Sequence, residues 1–382
     1  PDVSGGGSGK LLKIEPWPAE PPRLLEEHVD QLIMYCVQHQ ASDITLQTDR
    51  PAYGEIHGYL YPLTAKPLDP ADMNTILTRL YGVDAVAKLA ASKDLDLSYE
   101  IRLDRFSKVR FRVNMTAIQT KGRDGAQVTM RVMPSVPPTM KDLGIEQEII
   151  DNFSPRQGLI CVTGPTGSGK STLLAAGMRM LIERDGGCGK MLTYEAPIEY
   201  TYDAITNPQS LVSQTEIPRH LPNFAAGVRN ALRRKPAIIL VGESRDRETV
   251  AASIEAGQTG HAVYTTAHTM GVASTLRRMV SVFEPGERNE RAGALMETLR
   301  MIITQALVPR VTGGRVAVRE FMVFDDVVRE ELLDMPQERW SNRVQQMLPD
   351  RGQTMQKAAK IAYESGQIDR RHYLILARGS AD

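Results

Sequence analysis

The sequence predicts an α/β protein with two domains, and three observations support this prediction. Strand-like segments with a period of two lie in the first third of the chain, and strand and helix patterns alternate from Gly158 to Thr265. Pro134, Pro137 and Pro138 stand between the two patterns and indicate a domain boundary. The expected organisation is a flexible linker at 1–24, an N-terminal domain at 25–134, an interdomain linker at 135–148 and a second domain at 149–382.

The N-terminal domain is expected to combine a helix with antiparallel strands. Apolar residues at helical spacing predict a helix over 25–38. Period-two alternation predicts strands at 94–101, 110–115 and 127–132. Asp124-Gly125 lies between the last two strands and indicates a hairpin turn there.

The same alternation predicts a sheet surface that carries arginines. Arg110 and Arg112 alternate with Phe111 and therefore lie on the face opposite to it. In the partner strand, Arg131 lies opposite the apolar Met130 and its apolar neighbours. One face of the hairpin is therefore expected to present several arginines, although an ordinary solvated strand face has the same pattern.

The second domain is expected to be a mostly parallel sheet with helices on both faces, because strands and helices alternate along it. From about Val272 onward the pattern is largely helical. The predicted elements are strands at 158–163, 191–194, 238–241 and 262–265, and helices at 171–184, 224–234 and 248–256.

Composition argues against several classes of protein. Lys plus Arg and Asp plus Glu number 46 each, and this neutral balance argues against non-specific nucleic-acid binding as the main role. Cys36, Cys161 and Cys188 lack the spacing of a disulfide framework, which favours a reducing compartment. No apolar run approaches the roughly 18 residues of a transmembrane segment, and no signal segment is recognisable.

The strongest chemical signal is a phosphate-binding loop, or P-loop. The spacing G-x-x-x-x-G-K-S follows a predicted buried strand and opens a predicted helix, as the motif requires. Backbone N–H groups of such a loop bind phosphate oxygens, Lys170 reaches the β- and γ-phosphates, and the Ser171 hydroxyl binds Mg²⁺. The expected ATP-binding residues are Gly164, Pro165, Thr166, Gly167, Ser168, Gly169, Lys170, Ser171 and Thr172.

Further polar residues follow the other predicted strands at the carboxyl edge of the sheet, where ligands bind. Glu243 follows the third strand and is expected to point at Mg²⁺. Glu195 and Glu199 follow the second strand, and either could orient and deprotonate the attacking water. At the fourth strand, His268 is placed to sense the γ-phosphate, whereas His261 is expected to be structural.

Together these segments resemble the secretion ATPase superfamily, the motors of type IV pili and of type II and type IV secretion, over most of the chain. Details at Ser213–Pro222 and Asn230–Pro236 are most similar to the motors of type IVB (Dot/Icm) secretion and of conjugative transfer. The matching motifs are Thr163–Thr172 (Walker A), Pro197–Glu199 (aspartate box), Leu240–Asp246 (Walker B), Gly260–Thr269 (histidine box), and Ala41–Leu46 with Phe111–Asn114 in the N-terminal domain.

The resemblance implies roles for individual residues. Glu199 matches the catalytic base, Glu243 the Walker B glutamate that holds Mg²⁺, and His268 the histidine that contacts the γ-phosphate. Arg112 and Arg131 match N-terminal-domain arginines that neutralise charge on the transferred phosphate. These assignments prefer Glu199 to its neighbouring carboxylate as the base.

Two positions stand apart from these assignments. Arg110 shares the arginine face and is the weaker candidate there. The family's aspartate box usually reads Glu-Asp-Pro, whereas Ala196 stands in place of the aspartate here. The change removes a carboxylate near the metal and leaves Glu199 in place.

The resemblance also implies an architecture and an assembly. The fold expected from it is a PAS-like N-terminal α/β domain plus a RecA-like P-loop ATPase domain with a helical C-terminal part. It implies a homo-hexamer that uses ATP and Mg²⁺ and that binds secretion-system components of the inner membrane from the cytoplasmic side. Direct contact with nucleic acid is not expected.

Three other functions stay open on the sequence. A pilus retraction or assembly motor has the same motifs. A nucleic-acid translocase uses a similar motor domain, and Arg233–Lys235 is a compact basic run that fits it. A nucleotide-dependent docking platform that hydrolyses little ATP is consistent with Ala196, although Glu199 and Glu243 argue against it.

Overall fold

The computed structural model describes residues 14–104, 107–134 and 136–377, so the linker expected at the very start of the chain lies largely outside the described residues. The chain separates at Val136 into two compact units, here called the N-terminal unit and the C-terminal unit. Each has its own hydrophobic core.

The N-terminal unit is an antiparallel sheet covered by helices. Its strand order is β3-β2-β1-β6-β5-β4. Apolar residues of α1 and α2 pack in one cluster with the buried face of β5, including Leu32, Ile76 and Phe111. The elements are α1 (Glu26–Gln38), β1 (Asp43–Gln47), β2 (Tyr53–Ile56), β3 (Tyr59–Pro62), α2 (Pro70–Leu80), α3 (Ala85–Ala90), β4 (Leu95–Arg102), β5 (Lys108–Thr120) and β6 (Arg123–Met133).

The predicted helix and the predicted strands of this unit are confirmed, but the predicted position of the hairpin turn is wrong. Thr120 pairs with Arg123, so the turn consists of Lys121 and Gly122. Both have positive φ, 47° and 75°, as a tight turn that matches the strand twist requires. Asp124 and its neighbour Gly125 instead lie inside β6.

The C-terminal unit is a mostly parallel sheet with helices on both faces. The strand order is β14-β13-β12-β7-β11-β10-β8-β9. At one edge, β13 pairs antiparallel with both β12 and β14. The elements are α4 (Gln147–Asn152), β7 (Gly158–Thr163), α5 (Lys170–Glu183), β8 (Gly189–Glu195), β9 (Ser210–Glu216), α6 (Phe224–Ala231), β10 (Ile238–Val241), α7 (Arg247–Gln258), β11 (Ala262–Ala267), α8 (Val272–Ser281), α9 (Arg288–Thr298), β12 (Leu299–Pro309), β13 (Arg315–Val323), α10 (Asp326–Leu333), α11 (Trp340–Arg351), β14 (Gly352–Gln353), α12 (Met355–Glu364) and α13 (Arg370–Ala377).

The strands and helices predicted up to residue 265 are confirmed, with β9 as an additional strand between β8 and α6. The largely helical pattern expected from Val272 is only partly right. β12 and β13 form a long hairpin within that segment, and β12 pairs in parallel with β7. The apolar run in β12 is buried in the sheet, where an uninterrupted apolar strand cannot be distinguished from a buried helix by periodicity.

The C-terminal helices α10–α13 confirm the helical end of the chain. Trp340 is buried there, and its indole N–H donates to the carbonyls of Leu332 at 2.5 Å and Met335 at 3.1 Å. Among the described residues, no helix combines the length and the apolar character needed to cross a membrane.

Candidate functional site

The P-loop begins where β7 ends and stops where α5 begins. β7 is buried along its whole length, between β12 and β11 in the middle of the sheet. Gly164, Gly167 and Gly169 all have positive φ, of 139°, 78° and 81°. A Cβ at Gly164 would lie only 2.2 Å from the Gln305 carbonyl oxygen. Glycine is therefore required there both by conformation and by space.

The loop fits a polyphosphate. The Ser168 hydroxyl is buried and has no hydrogen-bond partner within the described part of the chain. Lys170 Nζ donates to the carbonyls of Gly164 and Pro165, at 2.9 Å each, so the ammonium lies against the loop. The N-terminus of α5 adds N–H groups that attract anions. The unpartnered Ser168 hydroxyl, the Lys170 ammonium and the N-terminus of α5 therefore lie together at the P-loop.

The first turn of α5 carries the two hydroxyls that the motif predicts. Ser171 is exposed, and Thr172 Oγ1 lies 3.2 Å from the Tyr200 hydroxyl. Ser171 is therefore accessible as a Mg²⁺ ligand, while Thr172 contacts the segment that follows β8.

Two carboxylates affect the pKa of the P-loop lysine, Lys170. Burial is the largest effect on Lys170 and lowers its pKa, whereas the charges of Glu243 and Glu199 raise it. Both glutamates therefore lie close enough to the P-loop for their charges to be felt there, as expected for groups at the carboxyl ends of neighbouring parallel strands.

Glu243 and His268 are brought together by β10 and β11. His268 Nε2 lies 3.6 Å from Glu243 Oε1. The loops that carry them are joined by hydrogen bonds, since the Ser244 N–H donates to the Thr266 carbonyl and the Thr266 hydroxyl donates to the Gly242 carbonyl. The pair is held beside the P-loop edge of the sheet.

Glu195 and Glu199 differ in their surroundings. Glu195 Oε1 accepts hydrogen bonds from the Thr193 hydroxyl at 2.6 Å and from the Gln214 amide at 3.1 Å. Glu195 therefore joins β8 to β9, whereas Glu199 acts electrostatically on Lys170. The charge of Glu199 is thus felt at the P-loop, where the resemblance expects the catalytic base.

His261 has a role in the fold. Its Nδ1 lies 3.0 Å from the Ala256 carbonyl oxygen and 3.2 Å from the Thr259 hydroxyl, at the C-terminal end of α7. These contacts place it at a helix end, away from the carboxyl edge where His268 lies.

In the N-terminal unit, Arg112 and Arg131 lie directly opposite each other on β5 and β6, and both are exposed. Arg131 Nε donates to Asp43 Oδ1 at 2.7 Å across the next strand pair. Arg110, by contrast, is only 2% exposed. Arg110 lies on the same face of β5 as Arg112, two residues away, but it is buried, so only Arg112 and Arg131 of the three expected arginines are exposed.

Sequence motifs alone missed the residues of β12 that border the P-loop. Thr304 Oγ1 lies 2.8 Å from Thr163 Oγ1, and the Gln305 amide donates to the Ser168 carbonyl at 2.6 Å. These residues lie far from the P-loop in sequence and match no motif. The apolar run of β12 is the one sequence feature that could have indicated a buried strand there.

Within the described ranges, no group of three or more His, Cys, Asp or Glu side chains forms a metal site. In nucleotide sites, Mg²⁺ is held by one or two protein groups together with phosphate oxygens. Ser171 and Glu243 are the side chains at this edge that could supply those groups.

The sequence matches a family model described as "Type II/IV secretion system protein" over residues 20–313. It is 33% identical to the type IV pilus retraction ATPase PilT of Pseudomonas aeruginosa over 79% of this chain and 84% of that protein. The crystal structure of the Legionella pneumophila ATPase DotB matches with a TM-score of 0.92 and 44% identity, covering 96% of this chain and all of DotB.

A crystal structure of the pilus retraction motor PilT with bound ADP also matches, with a TM-score of 0.79 and 30% identity over 92% of this chain and 96% of PilT. These similarities confirm the resemblance to the secretion ATPase superfamily that was inferred from the motifs. They also confirm the expected fold, an N-terminal domain followed by a RecA-like ATPase domain.

Proposed function

This chain belongs to the type II/IV secretion system protein family, and we propose that it is an Mg²⁺-dependent ATPase that powers a type IV secretion system of the type IVB class. The observation that carries the proposal is the convergence of Lys170, Glu199, Glu243 and His268 at the carboxyl edge of one parallel sheet. Similarity to DotB over nearly the whole chain supports the type IVB assignment.

The side chains divide the chemistry among them. Lys170 and the N–H groups of the P-loop bind the phosphates. Ser171 and Glu243 would hold Mg²⁺, which would supply positive charge to the phosphate oxygens. Glu199 orients the attacking water and accepts its proton. His268, held beside Glu243, contacts the γ-phosphate and so reports whether ATP or ADP is bound.

The N-terminal unit contributes charge to the reaction. Arg112 and Arg131 present two guanidinium groups side by side on an exposed sheet face. In this proposal, they approach the nucleotide when the two units close and withdraw after hydrolysis. Asp43, which is paired with Arg131, is the group that this approach must displace or carry along.

The proposal extends to assembly and location. The chain acts as a homo-hexamer, and domain closure repeated around the ring supplies mechanical work. It works at the cytoplasmic face of the inner membrane through components of the secretion machinery, without direct contact to nucleic acid.

A pilus retraction motor is the second candidate function. It is supported by 33% identity to PilT of Pseudomonas aeruginosa and by the match to the PilT structure with ADP. Both candidates require the same ATPase chemistry, and the phenotype of a gene deletion, in twitching motility or in substrate secretion, separates them.

The first test is steady-state ATPase activity with and without Mg²⁺ and DNA, with particle size measured by light scattering. Glu199→Gln is expected to lower kcat by about 10²–10⁴-fold while ATP binding survives, because it removes a general base. Glu195→Gln is the matched control, since that carboxylate joins β8 to β9.

Each outcome has a clear meaning. Mg²⁺-dependent turnover by a hexamer that is indifferent to DNA supports the proposal. Strong stimulation by DNA favours a translocase instead, and tight ATP binding without turnover favours a docking platform. An equal loss of activity in both glutamate variants contradicts the assignment of Glu199.

A further inference from the structure

A buried hydrogen bond joins β12 to the P-loop from outside the P-loop motif. Gln305 is 3% exposed, and its amide Nε2 donates to the Ser168 carbonyl at 2.6 Å. In the parallel pairing of β12 with β7, Thr304 lies opposite Thr163. Gln305 is the next residue on β12, and Gly164 is the first residue after β7. This register brings Gln305 to the start of the P-loop.

Arg319 holds the Gln305 amide in one orientation. It lies directly opposite Gln305 on β13, is 2% exposed, and its Nε donates to Gln305 Oε1 at 2.7 Å. Its other N–H groups donate to the carbonyls of Leu143 and Gly144 and to Glu146 Oε2, at 3.1–3.2 Å. A guanidinium only donates, so the amide must turn its oxygen to Arg319 and its NH₂ group to the P-loop.

The hydrogen bond from Gln305 to the Ser168 carbonyl also sets the orientation of the peptide group between Ser168 and Gly169. In a planar trans peptide, the carbonyl and the following N–H point in opposite directions. When Gln305 holds the Ser168 carbonyl toward β12, the Gly169 N–H points away from β12. Gly169 has φ of 81°, which glycine adopts without strain, and P-loops bind phosphate through such N–H groups.

We propose that Gln305 is a positioning residue that orients the P-loop backbone for phosphate, and that Arg319 fixes Gln305 in the required orientation. This inference rests on the proposed ATPase function and adds to it a side chain outside the motifs of the family. It acts through the Ser168 carbonyl and needs no contact with the nucleotide.

The test compares two glutamines of the same hydrogen-bond network around Arg319. Gln305→Met removes the hydrogen bond to the P-loop. Gln353→Met is the matched control, because the Gln353 amide donates to Glu146 Oε1 at 3.1 Å and to the Arg319 carbonyl at 3.0 Å. The full-length chain is used, with a fluorescent ADP analogue and Mg²⁺ as the probe, at a temperature below the melting point of every variant.

Gln305→Met is expected to raise the dissociation constant of the ADP analogue about tenfold, the effect of one hydrogen bond on phosphate binding. Gln353→Met is expected to change it by less than about twofold. In turnover, Gln305→Met raises KM for ATP by a similar factor and leaves kcat within about twofold, because Glu199 and Glu243 are unchanged.

Gln305→Glu keeps the test decisive if the methionine variant does not fold. An ionised glutamate still accepts from Arg319 but cannot donate to the Ser168 carbonyl, so we expect this variant to keep the Arg319 contact and to bind ADP more weakly. Unchanged binding in a folded Gln305 variant, or an equal loss in Gln353→Met, overturns the inference. A parent that binds the ADP analogue without hydrolysing ATP contradicts the proposed function, while the comparison of binding still tests Gln305.

Discussion

Gly164→Ala tests whether the first glycine of the P-loop is required by space. The added Cβ would lie 2.2 Å from the Gln305 carbonyl oxygen, whereas real Cβ contacts are essentially never shorter than 3.0 Å. The β12 backbone or the loop must therefore move by about 0.8 Å. Overpacking of this kind costs about 1–3 kcal/mol, and an alanine at φ 139°, outside the left-handed helical region, adds about 1–3 kcal/mol. We expect the free energy of unfolding to fall by about 2–6 kcal/mol.

Gly167→Ala is the control for a positive φ without a steric contact. Gly167 has φ of 78°, and a Cβ there would meet no atom within 4 Å. The control should therefore cost only about 1 kcal/mol, the penalty of a left-handed alanine. The difference between the two variants reports the contact with Gln305 together with the less accessible φ of Gly164.

The assay is urea unfolding followed by tryptophan fluorescence. The chain has two tryptophans, so in a Trp17→Phe background Trp340 reports on the C-terminal unit alone. Midpoints and slopes of the parent and both glycine variants give the free energies of unfolding. If Gly164→Ala is no more destabilising than Gly167→Ala, the reasoning about the close approach of β12 is refuted.

Two further predictions concern buried side chains. Tyr264→Phe should lower the free energy of unfolding by about 1–2 kcal/mol in urea, because it removes the buried hydrogen bond from the Tyr264 hydroxyl to the Phe153 carbonyl, 2.6 Å long; no loss would mean that the carbonyl finds another donor. Burial raises the pKa of Cys36 and Cys161 to about 12 each, so at pH 8 both remain protonated thiols. Iodoacetamide should leave both unmodified in the native protein and alkylate both in urea, as read by mass spectrometry, and rapid native labelling would contradict their burial.

Much of the fold could be predicted because local patterns agree with the tertiary structure. The helix over 25–38 and the strands around Arg112 and Arg131 follow from periodicity. The Lys121–Gly122 turn was misplaced because Asp124-Gly125 is the stronger local turn signal, whereas the pairing of β5 with β6 decides where the chain reverses. Periodicity likewise did not reveal β12, since a strand buried on both faces shows no alternation.

The candidate site could be predicted where chemistry is concentrated in short motifs. The P-loop, Glu243 and His268 each stand at the end of a strand, and parallel strands bring their carboxyl ends to one edge. The choice between Glu195 and Glu199 could be made only by resemblance at first. The structure adds that Glu195 accepts hydrogen bonds from Thr193 on β8 and Gln214 on β9, and that the charge of Glu199 acts on Lys170.

The sequence by itself determined the α/β class, the order of the elements around the P-loop and the identity of the P-loop residues, because glycine spacing and strand periodicity are local properties. Only the tertiary structure decided that Arg110 is buried while Arg112 is exposed, and that Gln305 and Arg319 reach the P-loop. Burial and hydrogen bonding between distant strands depend on sheet register, and register is set by the packing of the whole unit.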